Sequence, residues 1–441
     1  MARQALAKSL PDADPILESE VFEKHLGCFI HPKGPNLIDR TRPLGEWIDQ
    51  RTALNTWPYS RSLVKAPSTA TTLTSQNESV VDGINFGSQD YLGLSSHPAI
   101  HSAVLEALQV YGPHTASSPM LQGNTGLSLK LEESLAEFLD TEHVLLFPTG
   151  WAAGFGAIAG LVRNDDYVVI DHLAHACLTQ GARAATKKHL FFRHNDTESV
   201  RQRLRKIRAK DAKNSILVVT EGIFSMNSDS PDIFSLQGIC REYDAVLLLD
   251  VAHDLGASGP EGTGQLGTQN MLGQVDLVMG SFSKSFASNG GFLATHSKSA
   301  RQFLSVYGGP HIFSNALSPL QAAIVLEALR IIRSEEGDDL RYQSLANINR
   351  LRDGFESQGI ECLGQPSNVV PVSVGDETLA KWTSKLLEAN GLLANLVEFP
   401  AVPKGQARFR FQVMANHTSH QIDEAVERFS DSLSAAREMI A

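Results

Sequence analysis

The chain has few cysteines, no long apolar stretch and no surplus of positive charge, and each lack removes a class of protein. Cys28, Cys177, Cys240 and Cys362 are the four cysteines in 441 residues, widely spaced and without a C-x-x-C pair. That spacing offers no zinc site and suits a reducing compartment. No apolar run approaches the roughly 20 residues needed to cross a bilayer. Lysine and arginine number 38 against 49 acidic residues, a formal charge of −11, which argues against a nucleic-acid binder working through a basic field. The start, MARQALAKSLPDADP, lacks an apolar signal core and soon turns acidic. The expectation is a cytoplasmic protein, with a mitochondrial presequence as the weaker alternative. What is present is an ordinary globular composition, 42% hydrophobic and 20% charged, in a chain long enough for a large core and more than one domain.

The pattern along the chain suggests three segments. Residues 1–83 look like an extension and linker, with one short helix around Pro15–Leu26 and a Ser/Thr-rich stretch, Val64–Val80, that reads as an exposed loop. Residues 84–335 form a large domain. There the apolar runs HVLLF, YVVID, HLFF, SILVVT, AVLLLD, DLVMG and FLAT alternate with helical segments such as TESVRQRLRKIRAK. Nearly continuous apolar strands between amphipathic helices imply an α/β fold, with a mostly parallel central sheet covered on both faces. Leu127, Leu131, Leu135 and Leu139 give one helix an apolar stripe. A helix from Ser318 to about Arg333 closes this domain. Residues 336–441 read as a smaller α+β domain, with strands near VVPVSV and RFRFQVM and a last helix opened by Thr418-x-x-Gln421.

In open α/β sheets ligands sit beyond the carboxyl ends of the strands. HVLLF is followed by Pro148-Thr149-Gly150-Trp151, YVVID by His172-Leu173-Ala174-His175, and SILVVT by Glu221 and, further on, Ser225. AVLLLD ends in Asp250 before Val251-Ala252-His253, and DLVMG runs into Ser281-Phe282-Ser283-Lys284. Each has an ordinary explanation taken singly: a strand-to-helix turn, an N-cap or salt bridge, a structural histidine, a surface lysine. His172 and His175 have H-x-x-H spacing, but further ligands are not evident, so no metal is expected. Their convergence on one rim is the informative fact. A helix start after Thr149-Gly150 suits a phosphate, a buried Asp250 needs a cation, and a desolvated Lys284 can form a Schiff base. Pyridoxal 5′-phosphate (PLP) answers to all three demands.

The blocks FGSQDYLGLSSHP, FPTGWAAGFGA, DHLAHA, RHND, TEGIFSMNSD, DVAH, GSFSK, IFSNALSP and FPAVPKGQARFRFQVMANHT stand in order over about residues 84–430. In these blocks the chain resembles the α-oxoamine synthases, a family of fold-type I PLP-dependent transferases. The resemblance implies that Lys284 holds PLP and moves the substrate's Cα proton, that Asp250 pairs with the ring nitrogen, and that His175 stacks on the ring. It places His253 and Ser225 at the phenolic oxygen and Gly150, Trp151 and Ser281 at the phosphate. It implies a homodimer with the site at the interface, where Ser314 and Asn315 reach the neighbouring subunit's phosphate. Gln89 lies by the expected substrate carboxylate, which Arg408 would clamp, with Arg410 as the fallback. The implied partners are an amino acid and an acyl thioester, on coenzyme A or a carrier protein, and the implied reaction is a decarboxylative condensation to an α-amino ketone, with a specialised biosynthetic pathway as the proposed setting.

Four positions depart from the family pattern: Gln89 for Asn, Val251 for an acid, Ser128 for His and Pro119 for Arg. They leave the lysine, the acid and the stacking histidine in place and bear on which substrates are taken. Two alternatives stand beside this reading: an aminotransferase or aldolase of the same fold, and a non-catalytic partner subunit, against which Lys284, His175 and Asp250 all argue.

Overall fold

The computed structural model describes residues 21–74, 78 and 80–440. The chain clusters into two compact units: Gln89–Gln343 form one, and the residues up to Ser88 join Ser344 onward in the other. This differs from the three consecutive segments 1–83, 84–335 and 336–441. The physical reason is strand pairing, because Leu392 and Leu393 pair in parallel with Ile84 and Asn85.

In the larger unit, strands β1 (His143–Phe147), β2 (Tyr167–Asp171), β3 (His189–Phe192), β4 (Ile216–Glu221), β5 (Val246–Asp250), β6 (Leu277–Ser281) and β7 (Gly291–Thr295) form one sheet. Its order is β1-β7-β6-β5-β4-β2-β3. Only β7 runs against its neighbours; the pairs from β6 through β3 are parallel. Alternation along each strand sends side chains to opposite faces. Leu247 and Leu249 join one apolar cluster with Val169, Val218 and Val278, while Leu248 joins the other with Val168, Leu217 and Leu293. Burying each such leucine contributes about 2 kcal/mol, which is why this stretch of sequence reads so plainly as sheet.

The helices start where the chain supplies caps. Asp196 accepts from the N–H of Ser199 to open Thr197–Arg208, whose Val200, Leu204 and Ile207 are buried. Ser318 and Gln321 form a capping box before Pro319–Ile332. Thr125 and Ser128 do the same before Gly126–Phe138, which buries Leu131, Leu135 and Phe138.

The smaller unit has a three-stranded antiparallel sheet, in the order Val369–Gly375, Ala407–Gln412, Asn395–Val397. Helices Glu377–Ala389 and Ser419–Ile440 bury Leu386, Ile422, Ala425 and Phe429 in its apolar core. The last helix is opened by the expected reciprocal bonds of Thr418 and Gln421. A second sheet takes Ser62–Leu63, Ala70–Thr74, Val80–Asn85 and Leu392–Leu393. The stretch Val64–Val80, expected as a loop, therefore contains a strand. Its threonines are polar but β-branched, a type that favours the pleated conformation. Of the helix expected around Pro15–Leu26, Val21–Glu23 are helical, Lys24 and His25 are not, Leu26–Phe29 form a 3₁₀ turn, and residues 15–20 fall outside the described residues. Among the described residues, no helix is long and apolar enough to cross a membrane.

Candidate active site

Because β1 and the strands from β2 to β6 point the same way, the residues that follow them gather at one edge of the sheet. They enclose a cavity of about 330 Å³, within the usual range for small-ligand sites. Its wall contains Gln89, Gly150, Trp151, His175, Asp250, His253, Ser281 and Lys284. These are eight of the twelve residues proposed from the sequence. A larger hollow of about 560 Å³ lies near the amino ends of β2 and of β4 to β6, and its wall includes Leu161, Val246 and Leu277 but no lysine.

Gly150 is required by a close approach. A Cβ there would lie 2.4 Å from the Ser281 Cβ and 2.5 Å from its Oγ. The helix Gly150–Leu161 opens at this point, with Thr149 accepting from the N–H of Ala152. The N–H groups of Gly150 and Trp151, in the first turn, have no acceptor within their own helix. Ser281 and Ser283 bond to one another through their hydroxyls at 2.8 Å, so two hydroxyls stand beside a helix N-terminus.

Lys284 lies in the connection between β6 and β7, whose ends meet where Gly291 pairs with both Ser281 and Phe147. It is half-buried in the cavity wall, close enough to Asp250 for the two charges to favour each other. Asp250 is itself buried, and its Oδ1 accepts from the N–H of Ala252 at 2.9 Å. Burial pushes its carboxyl above the usual range, and His175 and Lys284 hold it back. Glu221 is its cross-strand neighbour and also lines the cavity. Burial, then the charge of Asp250, push the Glu221 carboxyl well above its ordinary value. Two adjacent buried carboxyls thus disfavour one another's charge, while His175 and Lys284 favour it at Asp250. Glu221 had no role in the sequence reading, although it ends an apolar strand just as Asp250 does.

His175 caps the helix Ala176–Ala185, its Nδ1 accepting from the N–H of Cys177 at 3.3 Å. Its own N–H donates to Glu221 Oε1 at 2.5 Å. His253 is fixed by a 2.9 Å bond between its Nδ1 and the hydroxyl of the fully buried Tyr91. Sequence reasoning also missed His194, which bridges two carboxylates: Nδ1 lies 3.0 Å from Asp171 Oδ1 and Nε2 2.8 Å from Asp229 Oδ2. Burial lowers its pKa, but the two aspartates outweigh that and push it up to about 9. The bridge ties together the segments that follow β2, β3 and β4.

Four proposed residues do not line the cavity. Ser225 is half-buried in the turn closed by Phe224 N–H to Asp229 O at 3.0 Å. Ser314 and Asn315 are exposed. Arg408 belongs to the other unit, buried on the strand Ala407–Gln412, where its Nε donates to Gln406 O at 3.2 Å.

PLP fits this wall on grounds the structure supplies: a lysine and a buried carboxyl group in one wall, and an open helix N-terminus flanked by hydroxyls. A mostly parallel sheet with that set at its carboxyl edge is the arrangement of fold-type I PLP-dependent transferases. Residues 81–429 match the family described as aminotransferase class I and II, and the chain belongs to it, among its α-oxoamine synthases. It is 35% identical over 354 residues to serine palmitoyltransferase of Sphingobacterium spiritivorum, covering 80% of this chain and 87% of that one. It is 33% identical over 341 residues to 8-amino-7-oxononanoate synthase of Geotalea daltonii, covering 77% and 86%. Among solved structures, serine palmitoyltransferase from S. paucimobilis with bound PLP superposes with a TM-score of 0.84 at 27% identity, covering 91% of this chain and all of that one.

Proposed function

We propose that the chain joins an amino acid to an acyl thioester, with loss of carbon dioxide and release of the thiol, to give an α-amino ketone. The observation that carries this reading is that Lys284 and the buried Asp250 stand in one cavity wall at the carboxyl edge of the sheet. PLP, when bound, supplies an electron sink for the pair left at the amino acid's Cα. Lys284 would hold the cofactor through its Nζ and, when not so engaged, would be the group to take the Cα proton. Asp250 would face the ring nitrogen and favour its charged form. His175 covers the ring, its main chain held by Glu221. His253, braced by Tyr91, faces the phenolic oxygen together with Ser225. The N–H groups of Gly150 and Trp151, with the Ser281 hydroxyl, receive the phosphate.

Arg408 binds the amino-acid carboxylate through two parallel N–H donors, and Gln89 lies beside it. The working form is a homodimer in which Ser314 and Asn315 reach the phosphate of the neighbouring copy. Their exposure, with that of Phe313 at 86%, supports such an interface. The donor is one of glycine, L-alanine or L-serine, and the acyl group arrives on coenzyme A or on a carrier protein.

The test is a panel of those amino acids with acyl-CoA and carrier-bound acyl groups, following thiol and carbon dioxide. Both are expected in equal amounts, and a keto acid as sole product would make the chain an aminotransferase. Lys284→Ala should abolish the cofactor's near-visible absorbance and lower turnover by about 10³-fold or more.

A further inference from the structure

The family match begins at residue 81, so the 3₁₀ turn Leu26–Phe29 and the helix Arg42–Ala53 lie outside it. This arm nevertheless holds some of the most deeply buried side chains of the smaller unit: Phe22, Trp47 and Arg51 are at most 1% exposed. A buried arginine needs partners. Arg51 donates to the carbonyl of Thr56, and its Nη1 lies 3.8 Å from Glu398 Oε1. The rings of Trp47, Trp57 and Phe22 surround its guanidinium carbon at 5.2, 5.6 and 5.7 Å, a cation–π cage.

Glu398 is 2% exposed and is held from three sides. Besides Arg51, the Tyr59 hydroxyl donates to Oε1 at 3.4 Å, and Lys381 Nζ lies 3.5 Å from Oε2. Lys381 also donates to the main-chain carbonyls of Phe22 and Lys24, each at 2.7 Å. A lysine of the helix Glu377–Ala389 therefore hydrogen-bonds the arm directly. Independently, Gly27 approaches Phe399 so closely that a Cβ would lie 1.9 Å from its ring. The ring of His25 meets Phe399 edge-on at 5.0 Å.

The contacts to Glu398 and Phe399 fall where the loop of one hairpin begins. Strand Asn395–Val397 pairs antiparallel with Ala407–Gln412, and Val397 lies directly opposite Arg408. Glu398 and Phe399 are the next two residues. We propose that the arm, residues 21–59, is an internal brace for this hairpin, and that Arg51 and Gly27 are positioning residues that hold Arg408 in place for the amino-acid carboxylate. This rests on the reading of Arg408 given above. A two-pronged arginine clamp works only when its guanidinium is presented at a fixed angle. A hairpin pinned by buried charge where its loop begins supplies that rigidity without touching substrate.

The test uses the full-length holoenzyme, with glycine, L-alanine and L-serine assayed in turn, and the variants Arg51→Met, Gly27→Ala and Arg408→Gln. For Arg51→Met and Gly27→Ala, the amino-acid KM should rise about tenfold while kcat stays within about twofold. The absorbance of the Lys284-bound cofactor should be that of the wild type, and deuterium uptake should rise in peptides spanning residues 395–412. Arg51→Lys should recover most of the KM. An unchanged amino-acid KM in both variants, or kcat and cofactor absorbance lost together, overturns the brace. Should Arg51→Met not fold, Gly27→Ala carries the test, since it leaves every charge in place. Arg408→Gln separates the two ideas. If it leaves KM unaltered, the carboxylate reading falls. If it raises KM while neither arm variant does, the brace alone falls.

Discussion

The carboxyl edge of the seven-stranded sheet and the braced hairpin of the smaller unit are both assembled from buried charge, yet they are arranged differently. At the sheet edge the acids lie side by side: Glu221 and Asp250 are cross-strand neighbours, both pushed upward by burial. At the hairpin the charges alternate, with Glu398 between Arg51 and Lys381. Burial pulls both cations' pKa values down, and Glu398 pulls them back. At the hairpin two cations flank one carboxylate, whereas at the sheet edge two acids stand beside Lys284. A carboxylate flanked by two cations makes a structural lock, whereas two adjacent acids leave a demand for positive charge that a cationic ring would meet.

That contrast can be broken most sharply at Asp250. Asp250→Asn keeps the shape and removes the charge, so kcat/KM should fall by about 10²–10³-fold. The cofactor-free protein should nonetheless be no less stable, and by about 1 kcal/mol more stable, because a desolvated charge has been removed. Urea midpoints of the cofactor-free proteins check this, and a lower midpoint for the variant would mean that Asp250 is a structural ion like Glu398. Glu221→Gln, which keeps an acceptor for the His175 N–H, should cost less than about tenfold in kcat/KM.

The two regions also differ in how far the sequence reveals them. Each residue of the sheet edge follows its own apolar run, so Lys284, Asp250, His175 and Gly150 could be picked out one strand at a time. The strands from His143 to Thr295 were legible for the same reason: their periodicity is local. The brace joins residues 51, 381 and 398, and nothing near any of them announces the other two. Lys381 reads as the solvated face of an amphipathic helix until the arm is seen lying over it. The strand Ala70–Thr74 was hidden because its partners, not its own polarity, make it a strand. His194 stayed without a role because its carboxylates stand 23 and 35 residues away.

His194 sharpens the comparison through pH, since it is the cation that the loops around the sheet edge supply for themselves. It faces Asp171 and Asp229, with His172 and Phe224 packed on its ring at 5.9 and 4.5 Å. Its folded pKa of about 9 exceeds the ordinary 6.5. The bridge therefore contributes fully below about pH 6.5 and is lost as pH rises through about 9. Discounted for solvent, the contribution is about 2 kcal/mol. Unfolding by urea at about pH 6.5 and about pH 9.5 should show that loss in the wild type and not in His194→Gln. An identical pH dependence in both would place the titration elsewhere.

The smallest effect concerns Ser128, where this chain departs from the family's histidine. That serine serves its own helix: the Oγ accepts from the N–H of Thr125 at 2.8 Å, while Thr125 Oγ1 accepts from the N–H of Ser128 at 3.2 Å. Ser128→Ala keeps the second bond and leaves the Thr125 N–H without its partner. The expected cost is about 1 kcal/mol of stability, read as a lower urea midpoint, with KM for amino acid and acyl thioester both within about twofold. A side chain that only caps a helix, unlike the brace, serves the fold and leaves the KM of both substrates alone. If stability is instead unchanged and the acyl-thioester KM moves by about tenfold or more, Ser128 belongs with the sheet edge, and its departure from the family pattern is a statement about the acyl group.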